Sequence, residues 1–255
     1  MVSVPQLSEG ASPFREREPI PKARALDLLQ HGTLETVGRM PYSSNATFLM
    51  DIDHDGLTAQ AIYKPHRGER PLWDFPAGLF QREVAAFLVA DDLGWDIVPP
   101  TIIREDAPLD VGSLQLFMPA AFEEHYFTIH EQSDDHDDQF REICALDVVI
   151  NNTDRKSGHC LLGNDGRIWA IDHGVAFHQQ FKLRTVLWDF ENEPLPDAIQ
   201  EDLWRFLERG LPDEVGELLD PFERDALLAR TTALATAGRF PSDDSGGHRY
   251  PWPLV

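Results

Sequence analysis

The 255-residue sequence predicts an α+β chain of two lobes, strand-rich up to about Phe117 and mostly helical beyond it. Three observations carry that prediction. Apolar and polar residues alternate through residues 59–65 and again through 114–119, the period of a half-buried strand. From Pro196 onward the apolar residues recur at helical spacing instead. Between these regions, Asn151-Asn152-Thr153-Asp154-Arg155-Lys156-Ser157-Gly158-His159 is joined to Ile171-Asp172-His173-Gly174 by a segment short enough for one β-hairpin, which brings two carboxylates together. The expected division is a first lobe over residues 1–118, a second over 119–240 and a tail over 241–255, the tail rich in Pro, Ser, Asp and Gly and expected to be partly disordered.

Taken in order, strands are predicted at about 33–37 and 46–52, flanking a polar turn that holds Ser43 and Ser44. The strand over 59–65 carries Lys64 near its end. Residues 65–78 form a loop with Arg67 and Arg70, anchored by Trp73 and Phe75. Residues 80–89 read as a helix with Glu83 near its start, close enough in the chain order to pair with Lys64. The strand over 114–119, with Gln115 and Phe117, stops at Pro119. Residues 123–138 are acidic and carry several histidines, but their spacing matches no ligand set such as H-E-x-x-H, and they read as a solvated loop or helix start capped by Ser133 or Asp134. A helix over 139–150 leads into the Asn151–His159 segment. Residues 160–162 and 167–171 form two short strands about the turn Gly163-Asn164-Asp165-Gly166, whose residue types suit a hairpin. Gly174 suits a left-handed backbone position after Asp172. Residues 196–209 form a helix ended by Gly210, and Pro212 and Pro221 open two more, the last closed by Gly238.

Composition bounds the partners. With 42% hydrophobic residues the chain can bury a substantial core. A formal net charge of −22 and a sequence pI of about 4.6 exclude a nucleic-acid partner and disfavour an anionic membrane surface, because Lys and Arg supply both attractions. No membrane-length apolar stretch and no apolar signal core at residues 1–21 are present, which predicts a cytoplasmic protein. Only two cysteines, Cys144 and Cys160, argue for buried free thiols rather than a disulfide framework.

Two carboxylates and an upstream lysine suit phosphoryl transfer, where one carboxylate orients the attacking hydroxyl, a second holds a metal and a cation offsets the phosphates. The order Lys64, Glu83, Asp154, Asp172 resembles the phosphatidylinositol 3-/4-kinase family and its bacterial HipA-like relatives, over roughly residues 37–177. The family's catalytic loop reads approximately Asp-Arg-x-x-x-Asn; here Asp154 and Arg155 match, and His159 stands where the metal-binding Asn is expected. The resemblance implies a protein-kinase-like fold and an ATP-dependent kinase acting on a hydroxyl of a small molecule or protein, with a nucleotide-binding pseudokinase or a nucleotidyl transferase as alternatives. It implies Lys64 on the phosphates, Glu83 orienting it, Asp154 as base, and Asp172 with His159 on Mg²⁺ or Mn²⁺, the imidazole favouring Mn²⁺. It further implies Ser43 and Ser44 at the phosphates, unless theirs is an ordinary hairpin turn, and Gln115 and Phe117 at the adenine edge. Arg67 or Arg70 could meet phosphate or only solvent. Lys182 and Arg184 fall where a substrate loop would lie, and His173 and His178 where a ligand or phosphate contact would.

Overall fold

The computed structural model describes residues 13–41, 43, 45–242 and 249–255. Ser44, one of the two expected phosphate hydroxyls, lies outside them. Two compact units divide the chain: the described part of Met1–Val84 with Pro99–Pro119, and Ala85–Val98 with Ala120–Val255.

In the first unit, β1 (Thr33–Arg39), β2 (Phe48–His54), β3 (Leu57–Pro65), β4 (Thr101–Arg104) and β5 (Gly112–Leu116) form one antiparallel sheet in the order β1-β2-β3-β5-β4. Helix α1 (Lys22–His31) supplies Ala25, Leu28 and Leu29 to a core with Met50, Ile52, Ala59, Ala61, Tyr63, Leu114 and Leu116. Because strand side chains alternate, burying Ala59, Ala61 and Tyr63 against α1 turns Gln60, Ile62 and Lys64 to the opposite face. The expected strand at 114–119 begins two residues earlier and ends three residues earlier, although Phe117 still donates its N–H to the Gln60 carbonyl at 3.0 Å.

Helix α2 (Leu79–Leu93) has its first residues in the first unit and the remainder in the second. The second unit contains α3 (Tyr126–Gln132), α4 (Asp137–Ile150), the hairpin β6 (Cys160–Leu162) and β7 (Ile168–Ala170), α5 (Asp197–Arg209), α6 (Asp213–Leu218) and α7 (Pro221–Ala237). Helix α7 packs on α4 and α5. Its start is fixed by Asp220, whose carboxylate accepts the Phe222 and Glu223 N–H groups, with Pro221 preset for the first turn.

The acidic stretch is more structured than a solvated loop. Tyr126 stacks on His130, and His130 Nδ1 lies 2.9 Å from Asp137 Oδ1. His125 caps α3, and Ser133 closes it. Part of the tail is also fixed: the Arg249 carbonyl accepts from the Thr185 N–H and Trp188 Nε1, and the Leu254 carbonyl accepts the Ser157 N–H at 2.8 Å. Among the described residues no helix is long and apolar enough to cross a membrane.

Candidate functional site

The first unit holds Lys64 and Glu83. Lys64 Nζ pairs with Glu83 Oε1, and the carboxylate side chain is only 4% exposed, so the ammonium faces a charge with little water to screen it. Helix α2 is anchored at its start by Glu69, whose carboxylate accepts the Gly78 and Phe80 N–H groups at 2.9 and 2.8 Å. The 65–78 loop is zipped to the β1–β2 turn: Ala46 donates its N–H to the Gly68 carbonyl and Arg70 its N–H to Asn45 Oδ1. In that turn Ser43 Oγ lies 2.8 Å from Thr47 Oγ1. Arg67 is largely exposed, 3.8 Å from Asp110.

Residues expected at a base edge already have partners inside this unit. Gln115 donates its side-chain amide to Thr101 Oγ1 at 2.9 Å. The Phe117 carbonyl accepts from Arg17 at 2.9 Å, and its ring stacks on Phe14 at 4.9 Å. Gln60 holds the same N-terminal segment, accepting the Arg15 N–H and donating to the Pro13 carbonyl.

The second unit holds the carboxylates. Asp154 donates its backbone N–H to Asn152 Oδ1 at 3.0 Å, and Lys156 Nζ lies 3.2 Å from its Oδ2. Burial raises the Asp154 pKa; Lys156 opposes this, and the nearby Asp172 charge adds to it. Asp172 follows β7 with its side chain half exposed. The left-handed backbone of this turn falls on Asp172 (φ 61°) rather than on the glycine that the sequence suggested. His159 Nε2 lies 3.4 Å from Asp172 Oδ2, and its Nδ1 accepts the Lys156 N–H at 3.5 Å.

Beneath these groups lies a buried network that sequence reasoning missed. Arg155 and Asp147 form an ion pair with both side chains wholly buried, Nη2 to Oδ1 at 2.9 Å. His173, expected to face a ligand, is instead buried, with Nε2 2.7 Å from Arg155 Nη2. Because a guanidinium only donates, that nitrogen accepts. The available signal was Asp147 itself, a carboxylate within the apolar pattern of α4. Thr185 Oγ1 lies 3.4 Å from Asp147 Oδ2. Arg184 meets the 151–159 segment through its backbone, donating its N–H to the Asn152 carbonyl and accepting the Arg155 N–H. Asn151, the left-handed cap of α4, holds residues 178–182 through the carbonyls of His178 and Gln180 and the Lys182 N–H.

Asp172 and His159 offer a divalent ion one carboxylate and one imidazole. Among the described residues no group of three or more His, Cys, Asp or Glu could hold a metal by itself. Two donors alone leave most positions of a divalent ion to other oxygen ligands.

No protein-family model matches the chain. Protein Rv2133c of Mycobacterium tuberculosis (strain ATCC 25618 / H37Rv) is 35% identical over 268 aligned positions, covering 89% of this chain and 94% of that protein. The chain belongs to the Rv2133c family. Phosphatidylinositol 4-kinase gamma 3 of Arabidopsis thaliana is 27% identical over 140 positions, covering 42% of this chain and only 24% of that longer protein. Among solved structures, the Helicobacter pylori proinflammatory kinase CtkA superposes with a TM-score of 0.52 at 8% identity, covering 83% of this chain and 94% of that one. Hydra Fam20, solved with sugar, gives 0.55 at 12% identity, covering 83% and 86%. This member of the Rv2133c family thus has a two-lobed, kinase-like α+β fold.

Proposed function

We propose that this chain is an ATP-dependent kinase of the phosphatidylinositol 3-/4-kinase-like type, transferring the γ-phosphate to a hydroxyl of a small molecule or protein. The observation that carries the reading is the pairing of unequal carboxylates: Asp154, held partly buried beside Lys156 with its pKa raised, and Asp172, half exposed beside His159. A base with a raised pKa takes a hydroxyl proton better than an ordinary carboxylate does. Lys64, oriented by Glu83, would hold nucleotide phosphates, with Ser43 as an accessory hydroxyl. Asp172 and His159 would hold Mg²⁺ or Mn²⁺, which neutralises phosphate charge when bound. Main-chain recognition of adenine at Phe117, with Gln115 nearby, requires the Arg17 contact to yield. The net charge of −22 weighs against a phosphoinositide acceptor, although the Arabidopsis relative bears a lipid-kinase name.

A pseudokinase that binds nucleotide without transferring phosphate is the second reading, favoured by His159 lying against the carboxylate oxygen of Asp172. Calorimetric titration of ATP with Mg²⁺ and then Mn²⁺, into wild type and Asp172→Asn, tests the nucleotide site: metal-dependent binding lost in the variant supports it, and no binding to wild type sinks it. Phosphoryl transfer that falls by about 10²-fold or more in Asp154→Asn selects the kinase over the pseudokinase.

A further inference from the structure

We infer that Asp147 is the positioning residue for both reactive carboxylates, reaching Asp154 through the Asn152 amide and Asp172 through the Arg155 guanidinium. This rests on the kinase reading and adds to it a shared anchor on α4.

The first arm is short. Asp147 Oδ1 accepts from Asn152 Nδ2 at 3.0 Å, and Asn152 Oδ1 accepts the Asp154 N–H at 3.0 Å. Because the nitrogen end of the amide must face the carboxylate, its oxygen end is committed to Asp154. The second arm uses the rigid fork of Arg155. Nε and Nη2 bind Asp147 at 3.0 and 2.9 Å, which fixes the plane of the guanidinium. Nη1 then donates to the Ile171 carbonyl at 2.8 Å and the His159 carbonyl at 3.2 Å, and Nη2 to His173 Nε2 at 2.7 Å. Ile171 and His173 are the chain neighbours of Asp172. All five N–H donors of the guanidinium are therefore used, and the residues on both sides of Asp172 are held by them. The whole network is dry, with Asp147, Asn152, Arg155 and His173 each 0% exposed.

A purely structural pair would disturb both carboxylates together; two separate arms allow them to be disturbed apart. The experiment measures kcat, the Mn²⁺ concentration for half-maximal rate, Mn²⁺-dependent ATP binding by calorimetry and Tm for wild type, Asn152→Ala, His173→Leu and His173→Gln. Asn152→Ala should lower kcat by about ten- to a hundredfold while Mn²⁺-dependent ATP binding stays at the wild-type value. His173→Leu should raise the Mn²⁺ requirement by about tenfold, the scale of groups that orient a metal ligand, and His173→Gln, which restores an acceptor, should recover most of it. Shifts in kcat and Mn²⁺ requirement that move together in proportion to lost Tm, or variants indistinguishable from wild type, overturn the inference while leaving the kinase reading intact. A wild type that neither transfers phosphate nor binds nucleotide with metal overturns both.

Discussion

Replacing Asp147 by Asn isolates the energy of the buried pair, since shape is kept and charge is lost. Asp147 and Arg155 have no exposed side-chain surface, so water cannot compensate the guanidinium once its counter-charge is gone. Breaking a buried ion pair from one side costs about 3–5 kcal/mol. The new amide also presents donors to Arg155, Asn152 or Thr185, which all face this carboxylate, and nothing in the network offsets that. A loss of about 4 kcal/mol corresponds to roughly 8–16 °C in Tm for a domain of this size. Removing both charges, as Asp147→Leu with Arg155→Met, should cost less than the single change, because apolar groups of similar volume often replace a buried pair with little loss. The remaining deficit, about 2 kcal/mol, reflects groups such as the Ile171 carbonyl and His173 that lose Arg155 as a donor. Urea unfolding followed by circular dichroism gives each free energy, and the double-mutant cycle closed by the single variants Asp147→Leu and Arg155→Met gives the coupling. An Asp147→Asn variant within about 1 kcal/mol of wild type, or a double variant whose loss equals the sum of the singles, would refute the reasoning.

Three further outcomes are expected. Burial, reinforced by Asp202 and Asp138, pushes Glu142 up to about 7. The folded state then holds a proton that the unfolded chain releases near pH 4–5, so stability should fall as pH rises from about 5 to 8; Glu142→Gln should remove this slope and gain about 1 kcal/mol at pH 8 after allowance for solvent screening, read from urea midpoints across that range. Both thiols are buried, and burial raises Cys144 and takes Cys160 up to about 12. A thiol-reactive dye at pH 7.5 should therefore label neither in the native protein and both once it is unfolded. Finally, a Cβ at Gly112 would meet the Lys64 carbonyl, with Pro65 Cα and the Tyr63 ring each at 2.8 Å. Gly112→Ala should cost about 2 kcal/mol or more in chemical denaturation, and a variant as stable as wild type would contradict this close approach of β5 to β3.

The parts of the fold legible in the sequence are those written in local periods. The β3 alternation ends at Lys64, the α2 pattern starts near Glu83, and the β6–β7 turn announces itself through Asn164, Asp165 and Gly166. Helix α1 was missed because its buried stripe is only Ala25, Leu28 and Leu29, and β4 because four residues do not establish a period. The placement of Asp154 and Asp172 on either side of the β6–β7 hairpin was legible in motif spacing, whereas the buried contacts around Asp147 were not. Asp147 meets Thr185 across a stretch of chain that includes the β6–β7 hairpin, and no local pattern records such a contact. His173 reads as a ligand or phosphate contact because it follows Asp172, yet the buried guanidinium of Arg155 holds its ring inward. The engagement of Phe117 by Phe14 and Arg17 was invisible for a related reason: an irregular segment such as 13–18 gives no periodic sign of the face it covers.

The left-handed backbone of Asp172 narrows what this position can become. Most side chains are strained there by about 1 kcal/mol or more, while Asp, Asn and Gly are tolerated. Point mutation of Asp to Asn or Gly thus preserves the turn while discarding the charge. Among relatives, the backbone would filter replacements at this turn before chemistry does, and the residue found there would report whether a member keeps its carboxylate or only its shape.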